Sequence, residues 1–400
     1  MASLLKLLSL KGLYLIYQLI STVLIRLPIW ILTSIPKSWR PRPHWTMRRS
    51  VKLKVVRHMI DLTTTIGPLR KTPNHLAITP GTGVNGVWIP PIQELVKDEL
   101  ETWANISQVI SIEIPGYWQH KKGSTIDIAA PPMPGEKVIY SLHGGGYITF
   151  SAHPSDMTAA ITRGLLKHVD SVHRVFSCEY RLSSGEGVRA QNPFPAALID
   201  ALAGYVYLVD TVKFDPADII LEGDSAGGNL ALALTRYLIE HQNSDLPSPP
   251  GALLLLSAWA DLKPPNAWLD NAKSDFIDLA DGGTLARAVI SFVGPHGLKA
   301  AETNPMISPG SRNPEMKIHF HGFPRTFIAA GGAEVLYDML CSLRERMVSD
   351  LGEGDGVRPG DGKVRWYCPP DASHDWVAFP QDETERIDTL KAIATWVAAS

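Results

Sequence analysis

The sequence predicts an α/β protein with a mostly parallel central sheet, helices on both faces of that sheet, and a cap formed by the N-terminal region and an insertion. From residue 108 onward, short runs rich in β-branched residues alternate with helix-like stretches, which is typical of parallel strands joined by crossover helices. In one place an apolar strand passes through a glycine-rich turn directly into a helix. The 400 residues are enough to bury a large core.

The alternation assigns each element a place in the chain. The expected strands cover residues 109–114, 137–141, 173–178, 218–222, 252–257, 326–330 and 364–368. The expected helices cover residues 155–168, 195–209, 226–240, 337–349 and 383–399. Elements in this order predict a single sheet with helices packed on both of its faces.

The chain is expected to contain three segments. Residues 1–36 are predicted to be a membrane anchor or interfacial helix, and residues 37–106 a basic juxtamembrane and cap region. Residues 107–400 are predicted to form the main domain. Within that domain, residues 262–323 are rich in loops and proline, and we interpret them as the cap insertion.

Charge is distributed unevenly along the chain. The formal net charge is -2, which gives no support to a nucleic-acid partner. The first acidic residue is nevertheless Asp61, so every charged residue before it is basic. The dense run of Lys and Arg between Lys37 and Arg57 is expected to contact anionic lipid headgroups. A membrane is therefore an expected partner.

The N-terminal segment is apolar enough to enter a membrane. Residues 12–35 provide the roughly 20 mostly apolar residues that a spanning helix needs, although Arg26 lies inside the stretch. Burying one arginine costs about 2.5–3.5 kcal/mol on insertion scales, which the surrounding Leu and Ile residues can outweigh. The alternatives are a helix lying in the membrane interface and a helix packed on the protein as part of a cap. A cleavable signal peptide is disfavoured because no small-x-small site follows.

The strongest local feature is the stretch DIILEGDSAGGNLALAL at residues 218–234. Its first residues form an apolar strand and its last ones a helix, with Gly-Asp-Ser-Ala-Gly between them. Gly-x-Ser-x-Gly at such a junction is a nucleophile elbow, a tight turn that requires small residues two positions before and after the serine. Ser225 is therefore the expected nucleophile, supported by Gly223 and Gly227, at a helix N-terminus that favours an anion.

A second glycine-rich turn, His143-Gly144-Gly145-Gly146, follows an upstream strand. Successive glycines let backbone N–H groups point into a cavity without obstruction by side chains. Donors of this kind stabilise the negative charge that develops on a carbonyl oxygen during acyl transfer. We expect an oxyanion hole at Gly144, Gly145, Gly146 and Ala226, in which Gly145 and Gly146 donate and Gly144 shapes the turn. His143 is expected to order the loop rather than to act as a base.

A serine nucleophile needs a base and an acid that orients it, and in this fold the chain order is serine, acid, histidine. His374 follows the last expected strand and precedes the final helix, which is where a base reaches the elbow. After the preceding strand the chain offers Glu334 in the turn and Asp338 one helical turn later. We expect Glu334 to be the acid and Asp338 to fix the loop or cap the helix.

These motifs together resemble the hormone-sensitive-lipase branch of the α/β-hydrolase family. The resemblance spans roughly residues 108–398 and implies the α/β-hydrolase fold for the main domain. The acid motif departs from it, because the family usually has Asp-Pro-Leu where this chain has Glu334-Val335-Leu336. The matching motifs are HGGG at residues 143–146, YRLS at 180–183, NPFPAA at 192–197 and GDSAGG at 223–228.

The basic, apolar N-terminus makes the chain similar to membrane-bound members of that branch, the arylacetamide deacetylases and the fungal steryl deacetylases. That similarity implies an endoplasmic-reticulum membrane and a lipophilic ester substrate, such as a sterol, aryl or secondary-metabolite ester. The expected activity is that of a serine carboxylic-ester hydrolase acting through an acyl-enzyme, without a metal or an organic cofactor. The cysteines Cys178, Cys341 and Cys368 are too few and scattered to suggest a metal site or a disulfide framework.

Four other functions remain open from the sequence. An amide or formamide hydrolase and a transacylase would use the same acyl-enzyme, so the motifs do not separate them from an esterase. A non-catalytic ligand-binding protein on the same fold would be expected to lack a member of the triad. A membrane scaffold or lipid-binding protein would keep the N-terminus but would not require Ser225.

Overall fold

The centre of the protein is an eight-stranded sheet. The computed structural model describes residues 8–67, 72–242, 245–263, 271–277, 283–379 and 383–399. In these residues the strands are β1 Asn85–Ile89, β2 Ile114–His120, β3 Lys137–Leu142, β4 Val172–Cys178, β5 Ile219–Asp224, β6 Ala252–Leu256, β7 Arg325–Ala329 and β8 Val364–Tyr367. Their order across the sheet is β1-β2-β4-β3-β5-β6-β7-β8.

Most of the sheet is parallel. Strand β3 pairs in parallel with β4 and with β5, and parallel pairing continues through β6 and β7 to β8. Strands β1 and β2 are antiparallel to each other, and β2 is antiparallel to β4. The predicted α/β class with a mostly parallel sheet is confirmed. Because the carboxyl ends of parallel strands lie at one edge, loops from β3, β5, β7 and β8 meet there.

Helices cover both faces of the sheet. The helices are α1 Leu8–Ser21, α2 Leu27–Ser34, α3 Met47–Ile66, α4 Asp98–Ser107, α5 Ala159–His168, α6 Ala196–Val206, α7 Ala226–Glu240, α8 Thr284–Val293, α9 Ala300–Thr303, α10 Tyr337–Leu351 and α11 Glu383–Ala398. Side chains of α5 and α11 pack with Ile139 on one face. Side chains of α6, α7 and α10 pack with Val138, Tyr140 and Leu142 on the other. This alternation along β3 follows from the two-residue period of a strand.

The prediction of a strand at residues 109–114 is wrong, because the observed strand β2 begins only at Ile114. The preceding residues are extended and alternate in burial, but their backbone does not join the sheet. The N–H of Ser111 donates to the side chain of Gln93 at 2.8 Å, and the Ser111 hydroxyl accepts from Ile92 N–H at 2.8 Å. Side chains therefore take the hydrogen bonds that a neighbouring strand would provide.

Five elements were not predicted from the sequence, namely strand β1 and helices α3, α4, α8 and α9. Strand β1 lies in the region expected to be a cap and pairs with β2 at the edge of the sheet. Helix α4 lies in the same region, and helix α8 lies inside the stretch 262–323 that was expected to be loops. Residues 264–270 and 278–282 of that stretch lie outside the described residues. The region 37–106 thus contributes an edge strand to the sheet as well as helices beside it.

The N-terminal helices α1 and α2 form one long apolar helix. Helices α1 and α2 are joined by a π-helical turn, Thr22–Arg26, and one helix spanning Leu10–Ser34 is long and apolar enough to cross a membrane. Only 11% of its most apolar window is buried inside the protein. Arg26 donates to the hydroxyls of Ser21 and Thr22 on its own helix. Residues 1–7 of the predicted anchor lie outside the described residues.

Helix α3 packs beside this N-terminal helix and contains most of the Lys and Arg residues between Lys37 and Arg57. The Lys54 ammonium donates to the hydroxyls of Thr33 and Ser34 at 2.9 and 3.1 Å. Several arginines of the run donate to backbone carbonyls. Arg40 donates within its own segment. Arg42, Arg49 and Arg57 donate to the main domain. The expectation that the run as a whole contacts lipid headgroups is corrected by these internal contacts, because a guanidinium engaged with carbonyls does not face the lipid.

Candidate active site

The turn between β5 and α7 holds Ser225 in a strained backbone conformation. Its φ of 49° and ψ of −115° are rarely adopted by residues with a side chain. The N–H of Ser225 donates to Leu256 O at 2.9 Å, and this bond ties the turn to β6. A Cβ at Gly223 would lie 2.3 Å from the Gly227 backbone, and one at Gly227 would lie 1.8 Å from Leu142 O. The two glycines are therefore required by the close approach of backbones.

His374 lies in the loop after β8 with its imidazole directed at Ser225. Its Nε2 lies 3.0 Å from the Ser225 Oγ, which is hydrogen-bonding distance. The two residues are 149 positions apart in the chain and both are buried. Contact between them fixes the geometry that a base needs to remove the serine proton.

Glu334 lies in the loop after β7, on the other side of the imidazole. Its Oε2 lies 2.8 Å from His374 Nδ1, and its Oε1 accepts the N–H of Gly331 at 2.6 Å. Asp338, the alternative acid, is exposed in the first turn of α10. The structure thus brings together Ser225, His374 and Glu334, and it leaves Asp338 outside the group.

The environment of His374 favours its charged form. Burial lowers the pKa of this imidazole, but the carboxylates of Asp375 and Glu334 raise it by a larger amount. The result is a pKa well above the ordinary value of 6.5. The Oδ2 of Asp375 lies 3.0 Å from the same Nε2 that contacts Ser225. Asp375 adopts a left-handed conformation with φ of 48°, which directs its carboxylate back toward the imidazole.

The turn after β3 lies beside the serine with its glycines in unusual conformations. Gly145 has φ of 104° and Gly146 has φ of 61°, and a Cβ at Gly145 would lie 2.2 Å from Thr149 O. Gly144 N–H donates to the Asp224 carboxylate at 2.9 Å. The backbone N–H groups of Gly145, Gly146 and Ala226 donate to no acceptor in the described part of the chain. These three amides can therefore serve a ligand, whereas the Gly144 amide holds the loop.

His143 is packed beneath this turn. Its ring stacks on Tyr180 with centroids 4.3 Å apart, and its Nδ1 donates to Gly144 O at 2.7 Å. Burial lowers the pKa of this imidazole to about 4, so it is neutral at physiological pH. Its position agrees with the expected role of ordering the loop, and it does not contact Ser225.

Two further carboxyl groups are buried behind the nucleophile. Burial raises the pKa of Glu222 to about 8, and the charge of Asp375 adds to this shift. Burial also raises the pKa of Asp224, together with the charges of Asp375 and Glu222. Glu222 is therefore poised to hold a proton at neutral pH. The neighbourhood of the imidazole consequently carries less negative charge than its composition suggests.

The sequence reasoning missed two residues that contact His374. Asp375 was visible as an acidic neighbour of the expected base, but only its left-handed backbone brings the carboxylate to Nε2. Asp275 is fully buried and accepts hydrogen bonds from Val335 N–H at 2.7 Å and from His374 N–H at 3.3 Å. No local pattern marks Asp275, because it lies 99 residues from His374 in an irregular loop.

A small pocket with a cavity volume of about 30 Å³ opens beside the histidine loop. Helix α3 forms one wall with Leu53 and Val56, and Ser373, Phe276 and Phe379 form the opposite wall. The Phe276 ring packs edge-on against the His374 imidazole with centroids 6.1 Å apart. An apolar group in this pocket would therefore lie next to the base.

The fold and this site define an α/β hydrolase. The family described as having the alpha/beta hydrolase fold matches residues 139–357, which is more than half of the 400 residues. The chain belongs to this family. Within it, similarity to hormone-sensitive-lipase-like esterases confirms the branch that the motifs resemble.

Several relatives are named for ester hydrolysis. An acetyl-hydrolase from Streptomyces hygroscopicus is 28% identical over 54% of this chain, and the match spans 62% of that relative. Esterase LipU from Mycobacterium tuberculosis is 29% identical over 65% of this chain and 77% of its own length. Neutral cholesterol ester hydrolase 1 from Rattus norvegicus is 35% identical over 26% of this chain and 25% of its own. The chain thus spans about three fifths of the length of the acetyl-hydrolase and a quarter of the length of the neutral cholesterol ester hydrolase.

Solved structures share the fold over nearly the whole chain. A hormone-sensitive lipase from a metagenome library has a TM-score of 0.55 at 25% identity, covering 94% of this chain and 97% of that one. The esterase EstE5 has a TM-score of 0.58 at 22% identity, covering 88% of this chain and 98% of that one. The predicted fold class is thereby confirmed by comparison as well as by the described topology.

Proposed function

We propose that this protein is a serine carboxylic-ester hydrolase with Ser225 as nucleophile, His374 as base and Glu334 as the acid that orients the base. The observation that carries the proposal is the continuous contact from Ser225 Oγ to His374 Nε2 at 3.0 Å and from His374 Nδ1 to Glu334 at 2.8 Å. Three residue types in this arrangement activate a hydroxyl for acyl transfer.

The reaction proceeds in two steps. His374 Nε2 takes the proton of Ser225 as Oγ attacks the ester carbonyl, and Glu334 stabilises the imidazolium through Nδ1. The imidazolium then gives its proton to the departing alcohol and leaves an acyl group on Ser225. Water, deprotonated by the same imidazole, attacks that acyl group and restores the hydroxyl. The serine proton thus leaves with the alcohol, a proton from water restores the Ser225 hydroxyl, and the carboxylic acid is released, so each cycle consumes one water molecule.

The oxyanion of both steps is assigned to the amides of Gly145, Gly146 and Ala226. Their N–H groups are unengaged by the described residues, and Gly145 and Gly146 have no side chain to block a ligand. Removing one such donor in other hydrolases costs about 2.7–4 kcal/mol of transition-state stabilisation. Gly144 supports the hole indirectly, because its N–H is bound to Asp224 and keeps the loop against the elbow.

We assign a lipophilic ester as the substrate. The pocket lined by Leu53, Val56, Phe276 and Phe379 is linked to His374 through the Phe276 ring, and its apolar walls suit an apolar group. Helix α3, which supplies one wall, packs against the apolar helix that is suited to a membrane. A hydrophobic ester dissolved in a lipid layer would therefore meet the pocket near the lipid surface. Sterol and aryl esters fit this description, in keeping with the resemblance to membrane-bound deacetylases.

The protein is proposed to associate with a membrane through the helix Leu10–Ser34, in the interface rather than across it. Thr22 Oγ1 lies 3.0 Å from His58 Nε2, and Trp30 packs edge-on against the same imidazole. One side of the helix therefore contacts polar side chains of α3, while its apolar residues Leu24, Ile25 and Leu32 stay exposed. The charged and polar side chains of α3 beside the helix suit the lipid headgroup layer better than the hydrocarbon core of a membrane. The resemblance to endoplasmic-reticulum deacetylases extends the proposal to that membrane.

A fluorophosphonate probe tests the catalytic part of the proposal. The native protein is expected to be labelled and to hydrolyse p-nitrophenyl butyrate, and Ser225→Ala is expected to lose both properties. Retained hydrolysis in Ser225→Ala would exclude the proposed nucleophile. Absence of both labelling and hydrolysis in the folded native protein would favour a ligand-binding function on this fold.

A protease-protection experiment tests the membrane part. An epitope tag at the N-terminus and the catalytic domain are expected on the same side of sealed microsomes, so that one protease digests both. Protection of the tag while the domain is digested would show a spanning helix instead.

A further inference from the structure

The loops that carry Glu334 and His374 are held by arginines from the N-terminal segment. Arg42 donates to the carbonyl oxygens of Gly332 and Pro370, the latter at 2.7 Å. Arg49 donates to Asp371 O. Gly332 precedes the acid by two positions, and the other two carbonyls precede the base within the same loop. The N-terminal segment is thus fastened to both loops at once.

Arg57 reaches the same loops through an intermediate residue. Its guanidinium donates to the backbone carbonyls of Ala272 and Asp275, the latter at 2.7 Å from Nε. The carboxylate of Asp275 in turn accepts the N–H groups of Val335 and His374. Asp275 is fully buried, so these bonds are not exchanged for water. The chain of contacts therefore runs from α3 through Asp275 to the residue after the acid and to the base itself.

A second set of contacts reinforces the attachment at the surface. The Asp371 carboxylate accepts from Trp45 Nε1 at 2.9 Å and lies 2.8 Å from His44 Nε2. Burial raises the pKa of Asp371, but these hydrogen bonds outweigh that effect and keep the pKa below its ordinary value. Asp371 is therefore ionised at neutral pH and can hold both partners. Asn271 adds a bond from its side chain to Glu334 O at 3.0 Å.

We propose that helix α3 positions the acid–base pair, with Arg57 and Asp275 as positioning residues that hold Glu334 and His374 in line with Ser225. The proposal rests on the proposed function, since it assigns a role only if these three residues carry out ester hydrolysis. Both loops are irregular and rich in glycine and proline, so their conformation depends on external contacts. The N-terminal segment supplies those contacts, and the site is complete only when α3 is docked.

The proposal makes a specific kinetic prediction for the full-length protein. Arg57→Met removes the guanidinium while leaving an apolar stem, and Arg48→Met changes an exposed arginine nearby on the same helix as a control. A displacement of about 1 Å at a catalytic group can cost about 100-fold in rate, so we expect kcat to fall about 10- to 100-fold in Arg57→Met. KM is expected to change far less than kcat, because the pocket walls remain. Arg48→Met is expected to match the native enzyme.

Several measurements separate positioning from a loss of folded protein. Active-site titration with the fluorophosphonate gives kcat per reactive site, so an unfolded fraction does not affect the result. Asp275→Asn retains the shape of the side chain but weakens its acceptor, and Arg57→Lys retains the charge with a single ammonium. We expect a kcat loss in Asp275→Asn, partial rescue in Arg57→Lys, and a double variant Arg57→Met with Asp275→Asn no worse than the poorer single variant.

Two outcomes would overturn the positioning role. One is a native kcat per titrated site in Arg57→Met, and the other is full additivity of the two substitutions. Failure of the proposed function would look different, because the native protein itself would then lack hydrolysis that depends on Ser225.

Discussion

The carboxylate of Asp375 lies 3.0 Å from His374 Nε2, the nitrogen that also contacts the Ser225 hydroxyl. An imidazole nitrogen carries either one proton or one lone pair, so it cannot serve both partners at once. When Nε2 is protonated it donates to Asp375, and the base is then unavailable to the serine. When Nε2 is deprotonated its lone pair accepts the serine proton. Asp375 therefore favours the inactive protonation state.

This relationship determines the expected pH dependence. The pKa of His374 is raised, mainly because the carboxylates of Asp375 and Glu334 outweigh the effect of burial. Only the neutral imidazole accepts a proton, so activity is present above this pKa and is lost as pH falls through it. Asp375→Gly removes the carboxylate and suits the φ of 48°. We expect the acid limb of kcat/KM to move down by about 1 pH unit.

The measurement is the pH profile of kcat/KM for p-nitrophenyl butyrate, recorded for the native enzyme and for Asp375→Gly. An acid limb at the same pH in both proteins would show that Asp375 does not influence the base. A native profile that is flat from about pH 5 to about pH 9 would contradict the role of His374 itself.

Glu334 and Asp338 provide a matched pair of carboxylates one helical turn apart. Glu334 is buried against His374, and Asp338 is exposed at the start of α10. Glu334→Gln leaves the imidazolium without a counter-charge and can hold the wrong tautomer, so we expect kcat to fall about 1,000-fold or more. Asp338→Asn is expected to keep native kcat. Steady-state kinetics on both variants decides the assignment, and a large loss in Asp338→Asn alone would reverse it.

The pocket beside the base predicts a change in substrate selection. Val56 lines this pocket, whereas Met59 on the same helix is exposed. Val56→Trp fills space that a bulky ester would occupy, so KM for a long-chain or sterol ester is expected to rise at least about 10-fold, since burying a few methylene groups contributes about 0.8 kcal/mol each. KM for p-nitrophenyl acetate is expected to stay unchanged.

Met59→Trp provides the control, because it adds the same bulk outside the pocket. A KM for the long-chain ester that is the same in Val56→Trp as in the native enzyme would place the substrate elsewhere in the protein.

Removal of residues 1–36 tests the anchor. The segment contains the helix Leu10–Ser34 but none of the arginines that hold the catalytic loops, since Arg42, Arg49 and Arg57 lie beyond it. The truncated protein is expected to leave the membrane fraction while retaining turnover of a short p-nitrophenyl ester. Fractionation and activity assays on the same samples give both results. A truncated protein that stays with the membrane would contradict the anchor assignment.

Local patterns were sufficient for the parts of the site that depend on neighbouring residues. Ser225 was predicted because a strand, two glycines and a helix occur together within the 17 residues 218–234. Helix α7 begins and ends where its pattern predicted, at Ala226–Glu240. His374 and Glu334 followed from the order of elements along the chain. The corresponding distances of 3.0 and 2.8 Å came from the structure.

Edge elements and irregular loops were harder to predict. Strand β1 has five residues and an exposed tryptophan, so its apolar pattern is too short to distinguish it from a loop. Helix α8 was not predicted because prolines and glycines surround it in the sequence. The segment 109–113 looked like a strand because it is rich in β-branched residues, although side chains rather than a neighbouring strand take its hydrogen bonds.

The sequence by itself determined the class of fold and predicted the nucleophile, the base and the oxyanion loop, because each depends on local backbone geometry that a short motif specifies. Only the tertiary structure decided what the basic N-terminal run contacts, and which carboxylates reach His374. Charge attracts lipid phosphates and backbone carbonyls alike, so the sequence could not choose between them. Asp275 lies 99 residues from His374, and only folding brings the two together.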